Sequence, residues 1–213
     1  MACSPEVEPK VTPPSPGVSI PASTSYLCKL KSTLSDADAN LLFVGNSLTY
    51  TNDLPDIVER LAKERGIKIG TQSVAYPNYA LEDHWNDGCV QTLIDSKKFD
   101  FIIVQQGPSS QEEGRLMLLE YGEKLNDLCK KSDARLAFFM VWPARVNYSN
   151  FGGVILNYTN AALEFDALLC PVGTYWKSQC DKGDFSYYGP DNFHPSLKGS
   201  EMAAQTILNT LFP

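Results

Sequence analysis

Along this chain, short uninterrupted apolar runs alternate with longer stretches in which apolar residues return every three or four positions. The first run, Leu41-Leu42-Phe43-Val44, stops at Gly45 and reads as a buried strand. Leu54, Ile57, Val58 and Leu61 then fall at helical spacing, and Gly66 supplies a residue suited to closing that helix. Residues 67–74 read as a second strand, and 99–105 as a third around Phe101-Ile102-Ile103-Val104. Leu118, Tyr121, Leu125 and Leu128 mark a long helix, and residues 136–141 a fourth strand. Residues 160–169 read as helical and 171–175 as a short fifth strand. Ala203, Ile207, Leu208 and Leu211 form one face of a terminal helix.

Strands that are apolar throughout have no solvated face, so both of their faces must be covered. Interleaved with helices, they predict a parallel α/β sheet with helices on each side. In such folds ligands bind beyond the carboxyl ends of the strands. That rule directs attention to Gly45-Asn46-Ser47, to residues 105–110, and to Trp142-Pro143.

Composition narrows the picture. A length of 213 residues suits one substantial domain. The net charge of −7, without clusters of Lys or Arg, argues against nucleic acid or an anionic membrane surface as partner. No apolar stretch approaches the roughly 18 residues of a membrane span, so no transmembrane segment is expected. Residues 1–26 are rich in Pro, Ser and Thr and offer too little apolar surface to offset the entropy of ordering them. The chain therefore divides into a flexible tether over 1–35 and a catalytic domain over 36–213. Cys3 ahead of such a tether resembles the mature start of a bacterial lipoprotein, which implies an exported chain with a lipid anchor at Cys3. A chance cysteine in a tail accounts for the same residues.

Cys28, Cys89, Cys129, Cys170 and Cys180 are an odd number, so one thiol stays free unless it pairs between chains. Cys170 and Cys180 flank a short stretch and are candidates for a bridge. With His84 and His194 the only histidines and no CxxC pair, a His-rich metal site is excluded.

The chemistry concentrates at two places. Ser47 stands at the turn after the first strand, where its hydroxyl can project beside backbone N–H groups. A serine is a weak nucleophile until a base takes its proton. His194, in Asp191-Asn192-Phe193-His194-Pro195, is the better of the two imidazoles, because an Asp three residues earlier can orient it. Gly-Asn-Ser after a strand is often a plain turn, and Asp-x-x-His alone is common. Standing at opposite ends of one α/β pattern, the two together point to a hydrolase.

Leu42-Phe43-Val44-Gly45-Asn46-Ser47-Leu48-Thr49 resembles the first block of the SGNH (GDSL-like) hydrolases, in the variant that reads Gly-Asn-Ser. Asp191-Asn192-Phe193-His194 resembles their last block, and the likeness runs over about residues 38–213. It implies a three-layer α/β/α, flavodoxin-like fold with five parallel strands, and ester hydrolysis through an acyl-enzyme. Ser47 would attack, His194 act as base and then acid, and Asp191 orient the ring, with no cofactor and no metal. The middle blocks depart from the pattern. Tyr76-Pro77-Asn78-Tyr79-Ala80-Leu81-Glu82-Asp83-His84 resembles a Gly-Gly-x-Ser-Leu-x-x-His variant with Asn78 where a Gly is expected. The oxyanion donors implied are the N–H groups of Ser47 and Asn78, plus a side-chain amide from Gln105 or, second, Gln106 in place of the usual Asn. His84, Tyr79 and Trp142 are expected to bind substrate. His84 reads equally as a helix-surface residue, and many of the aromatics that cluster with Tyr79 and Trp142 are expected to be core. Asn147-Tyr148-Ser149 and Asn157-Tyr158-Thr159 match the N-glycosylation pattern, which arises often by chance.

The expectation is a serine esterase acting on small esters, O-acetyl groups on glycans among them. A glycan-binding module on the same fold with little catalysis, or a lipase or thioesterase on longer chains, are the alternatives.

Overall fold

The computed structural model describes residues 28–31, 34 and 37–213. The lipid anchor expected at Cys3 and the tether as far as residue 27 lie outside the described residues.

Five strands form one sheet: β1 (Ala39–Gly45), β2 (Ile69–Ala75), β3 (Phe101–Val104), β4 (Arg135–Phe139) and β5 (Leu168–Cys170). Their order is β2-β1-β3-β4-β5, and every neighbouring pair is parallel. The central strands are apolar because both of their faces are covered: Leu41 to Val44, Ile102 to Val104, and Phe138 and Phe139 are buried. On one face α2 (Leu54–Glu64) packs against the terminal helix α8 (Leu197–Leu211). The other layer is built from α3 (Leu81–Asp87), α4 (Cys89–Asp95), α5 (Glu112–Lys131) and α6 (Phe151–Glu164). Gly88, at φ 74°, closes α3 and opens α4, a left-handed position that suits a residue without Cβ. The three-layer α/β/α arrangement expected for the chain is the one observed. Among the described residues no helix is long and apolar enough to cross a membrane.

Three expectations are corrected. Residues 160–169 are not one helix, and 171–175 is not the fifth strand. Helix α6 ends at Glu164, Asp166 takes a left-handed turn (φ 53°), and Leu168–Cys170 pair with Ala137–Phe139 as β5. Pro171 then precedes helix α7 (Val172–Cys180).

Cys170 ends β5 and Cys180 ends α7, with the whole of that helix between them, and both remain free. The disulfide joins Cys28 to Cys89 instead. Residues 28–31, which the sequence assigns to the tether, are thereby fastened to the domain. Lys31 N–H donates to Gln72 Oε1 (3.1 Å) and Gln72 Nε2 to the Lys29 carbonyl (3.0 Å), along strand β2.

Candidate active site

At the end of β1 the chain turns sharply into a single helical turn, α1 (Ser47–Tyr50). Gly45 is required there, since a side chain would run into Thr49 and Gln105. Asn46 is extended and caps α1, its Oδ1 accepting from Leu48 N–H at 3.1 Å. Its other groups are tied as well: Nδ2 donates to the Tyr79 carbonyl (3.0 Å) and the backbone N–H to Gln105 Oε1 (2.9 Å). The Gly45 carbonyl accepts from Tyr76 N–H (3.2 Å) and from His84 Nε2 (2.8 Å). The Ser47 N–H, at the first position of the helix, takes no acceptor among the described residues.

From 147 residues away, His194 Nε2 reaches the Ser47 hydroxyl at 2.9 Å. Its other ring nitrogen lies 2.5 Å from Asp191 Oδ2. An ionised carboxylate only accepts, so Nδ1 carries the proton, and Nε2 of the neutral ring presents its lone pair to the Ser47 O–H. Asp191 Oδ1 accepts from the N–H groups of Phe193 (3.0 Å) and His194 (2.9 Å). The hydrogen bond from His194 first, and the Phe193 N–H next, hold the Asp191 carboxyl below the usual carboxylate range. The loop is closed by a bridge between Tyr188 and Pro195, and by Gly189 N–H donating to the His194 carbonyl at 2.7 Å. Asn52 Nδ2 ties it to the start of α8, donating to the Pro195 carbonyl (3.1 Å) and to Ser200 Oγ (3.0 Å).

Ser47 opens into a cleft of about 380 Å³, with Asn78, Tyr79 and Ala80 on one wall and residues 106–109 on the other. Phe193, one of the aromatics expected at the rim, lines it too, together with Met117, a residue that the sequence reading does not single out as a binding group. Asn78 lines the cleft in the left-handed conformation (φ 61°) that Asn tolerates, and its N–H has no acceptor among the described residues. Tyr79 lines the same wall, and burial, then Asp87, pushes its phenol above the usual value.

Four expected site residues have other duties. Gln105 is buried and its Oε1 accepts from Asn46 N–H and, at 2.8 Å, from Thr49 Oγ1, while its Nε2 donates to the Gln106 carbonyl at 2.7 Å. It clamps the Ser47 turn and offers the cleft no donor. Gln106 does border the cleft, but its Nε2 donates to Ser109 Oγ (2.9 Å) and to the Gly114 carbonyl (3.0 Å), which uses both amide hydrogens. His84 is buried beneath the turn beside the rings of Tyr76 and Tyr79, not in the cleft. Since a carbonyl only accepts, its Nε2 donates to Gly45, and Nδ1 is left without a partner among the described residues. Burial lowers its pKa. Trp142 is fully buried, stacked on Trp176 at 3.5 Å between ring centres, and its Nε1 donates to the Phe193 carbonyl at 2.9 Å. It steadies the His194 loop from behind and does not meet a ligand. Asn157, in the second glycosylation pattern, is also buried and donates to the Ser109 carbonyl at 2.8 Å. Among the described residues no three His, Cys, Asp or Glu side chains gather as a metal would need.

The fold that carries this geometry is the SGNH hydrolase fold. A protein assigned as an SGNH hydrolase from Slackia heliotrinireducens superposes with a TM-score of 0.70 at 22% identity, over 81% of this chain and 98% of that one. A variant of an acetyl-xylooligosaccharide esterase from Geobacillus Stearmophilus gives 0.64 at 15% identity, over 83% and 95%. A lipase/acylhydrolase from Enterococcus faecalis gives 0.66 at 12% identity, over 80% and 94%. No family model matches the sequence, and no curated protein matches it.

Proposed function

We propose that this chain is a serine esterase for short acyl esters of hydroxylated alcohols, O-acetylated glycans being the substrate class that fits best. The observation that carries the reading is the hydroxyl–imidazole–carboxylate relay at the mouth of one cleft, at 2.9 and 2.5 Å. Ser47 Oγ attacks the ester carbonyl carbon while its proton passes to His194 Nε2. The carbonyl electron pair moves onto oxygen and is met by the N–H groups of Ser47 and Asn78. As the pair returns, the bond to the alcohol breaks and His194 gives the proton to the departing oxygen. Water repeats the sequence on the acyl-enzyme and releases the acid. Asp191 stabilises the imidazolium in both halves.

A neighbouring hollow of about 330 Å³ shares Pro108 and Phe193 with the cleft and adds Pro143, Ala144, Asn147 and Asn150. Apolar walls with two amides suit the faces and hydroxyls of a sugar on the alcohol side. The structurally similar esterase that acts on acetyl-xylooligosaccharides supports the same choice.

Turnover of 4-nitrophenyl acetate that falls roughly 10⁵-fold in Ser47→Ala, with the melting temperature unchanged, is the expected result. Retained turnover in that variant refutes the assignment. A chain-length series of aryl esters decides acyl size, and an optimum at long chains turns the reading toward a lipase or thioesterase. The commitment of both Gln amides to the protein favours the binding module as second reading. Glycan affinity without hydrolysis of any short ester is the result that selects it.

Export is part of the proposal. The Cys28–Cys89 disulfide belongs to an oxidising compartment, in keeping with a lipid anchor on Cys3. Release of the intact chain from membranes by a lipase acting on acylated Cys3, detected as a mass difference, tests the anchor.

A further inference from the structure

We infer that the backbone N–H of Gly107 is the third oxyanion donor, taking the place of a side-chain amide. The assignment rests on the esterase reading above and names a group that neither the sequence nor the likeness to other hydrolases points to.

The side chains exclude themselves. Gln105 is buried behind the Ser47 turn, and both hydrogens of the Gln106 amide are held by Ser109 and Gly114. What remains at this strand end is main chain, and its direction follows from one peptide plane. The Gln106 carbonyl accepts from Gln105 Nε2 at 2.7 Å and from the Tyr158 hydroxyl at 2.6 Å, two fully buried groups on the interior side. In a trans peptide the N–H points opposite to the C=O, and no cis bond occurs among the described residues. The Gly107 N–H is therefore aimed away from Gln105 and Tyr158. Gly107 itself is only half-buried and lines the cleft together with Ser47. No acceptor among the described residues takes that N–H.

The sheet brings this group to the right level. Val44 of β1 faces Val104 of β3, and the ladder continues one step further as Gln105 N–H donates to the Val44 carbonyl at 2.8 Å. Three residues beyond the Val44–Val104 pair stand Ser47 and Gly107, on chains that leave neighbouring strands about 4.8 Å apart. The side of Gly107 that a Cβ would occupy is open, with no atom within 4 Å, so no neighbouring side chain crowds this stretch of main chain. The third donor of the site is then fixed by Gln105 and Tyr158 without either of them touching substrate. Both are positioning residues.

The test replaces the Gly107 amide by an ester, with glycolic acid incorporated at position 107 of the full chain, so that the N–H alone is lost. For 4-nitrophenyl acetate we expect kcat to fall roughly 10²- to 10³-fold with KM within about threefold of wild type. A folded ester variant with kcat near wild type overturns the assignment. So does a Gln106→Ala variant that alone reproduces the loss, since it would return the role to the side chain. Tyr158→Phe keeps the ring in the core, leaves the Gln106 carbonyl held by Gln105 Nε2 alone and takes the acceptor from Gln106 N–H, and its kcat should fall roughly tenfold at constant KM. An unchanged kcat in Tyr158→Phe counts against the proposal even if the ester variant does not fold. Wild-type protein without Ser47-dependent turnover sinks the esterase reading and this one with it. Wild-type turnover beside a fully active ester variant sinks this one alone.

Discussion

The turn that carries Ser47 and the loop that carries His194 meet across 2.9 Å, yet the chain secures them in different ways. The turn is fastened from beneath. Gly45, Asn46 and Thr49 spend their polar groups on His84, Tyr79 and Gln105, partners drawn from the segments that follow β2 and β3, and His84 and Gln105 are buried. The loop lies open. The Asp191 and His194 side chains retain 52% and 36% of their exposure, and the loop is held by its own backbone bonds, with Trp142, Arg145 N–H and Asn52 reaching its carbonyls from outside. Buried bonds in a low dielectric are costly to break, and exposed ones compete with water. The position of Ser47 should therefore be tied to the stability of the whole domain, and that of His194 should be a local matter.

The most forceful way to break this comparison is His194→Ala. Loss of the base should lower ester turnover roughly 10⁴- to 10⁶-fold. The melting temperature should stay within about 2 °C, because the ring is partly exposed and only one of its bonds, that to Ser47, reaches a distant segment. A fall of many degrees in a thermal melt would show that the loop is part of the cooperative core.

Gln105→Leu probes the other side. The shape is nearly kept, but the Asn46 N–H and the Thr49 hydroxyl lose their buried acceptor. At about 1–3 kcal/mol for each unpartnered group, urea unfolding should report a loss of roughly 2–6 kcal/mol, with turnover falling in the same variant. Stability equal to wild type would mean that the turn is held by packing alone.

These two residues also mark how far the sequence could be read. Ser47, Asp191 and His194 stood out because the chemistry needs those types at a strand end and before a terminal helix, and the structure brings the three side chains within bonding distance. The sheet was legible from its apolar runs. The fifth strand was not, because Ala167-Leu168-Leu169-Cys170 continues the apolar character of α6, and the break falls at Asp166, which turns left-handed. Gln105 was legible as a strand-end residue but not as a clamp. Which of two adjacent amides faces a cleft depends on the tilt of one peptide, and Tyr158, 52 residues along the chain, sets that tilt. Trp142 likewise carries no mark in the sequence that it stacks on Trp176 and reaches the loop by its indole N–H.

Trp142→Phe sharpens the comparison, since Trp142 belongs to the core and touches the loop. The aromatic layer against Trp176 is largely kept, and the bond to the Phe193 carbonyl is lost. A cost near 1–2 kcal/mol is expected in urea, with kcat falling several-fold as His194 loses its fixed aim. Equal kcat in the variant would mean that the Tyr188–Pro195 bridge and the Gly189 bond hold the loop unaided.

The smallest expected effect is one of pH, and it belongs to the turn. His84 is buried under the Gly45 carbonyl, and burial sets its pKa below the ordinary 6.5, outweighing Gly45, Asp87 and Asp83, which pull the other way. Below that ordinary value the unfolded chain takes up a proton at this residue and the folded chain does not. The contribution is therefore complete above pH 6.5 and lost as pH falls toward the folded pKa. Between pH 6.5 and 5.5 one such proton is worth at most about 1 kcal/mol. Glutamine can still donate to Gly45 and does not titrate over this range, so His84→Gln should lose less stability than wild type across the interval. The difference is read by urea unfolding of the two proteins at both pH values. Matching pH dependence would place His84 in contact with water and remove it from the foundation on which the Ser47 turn rests.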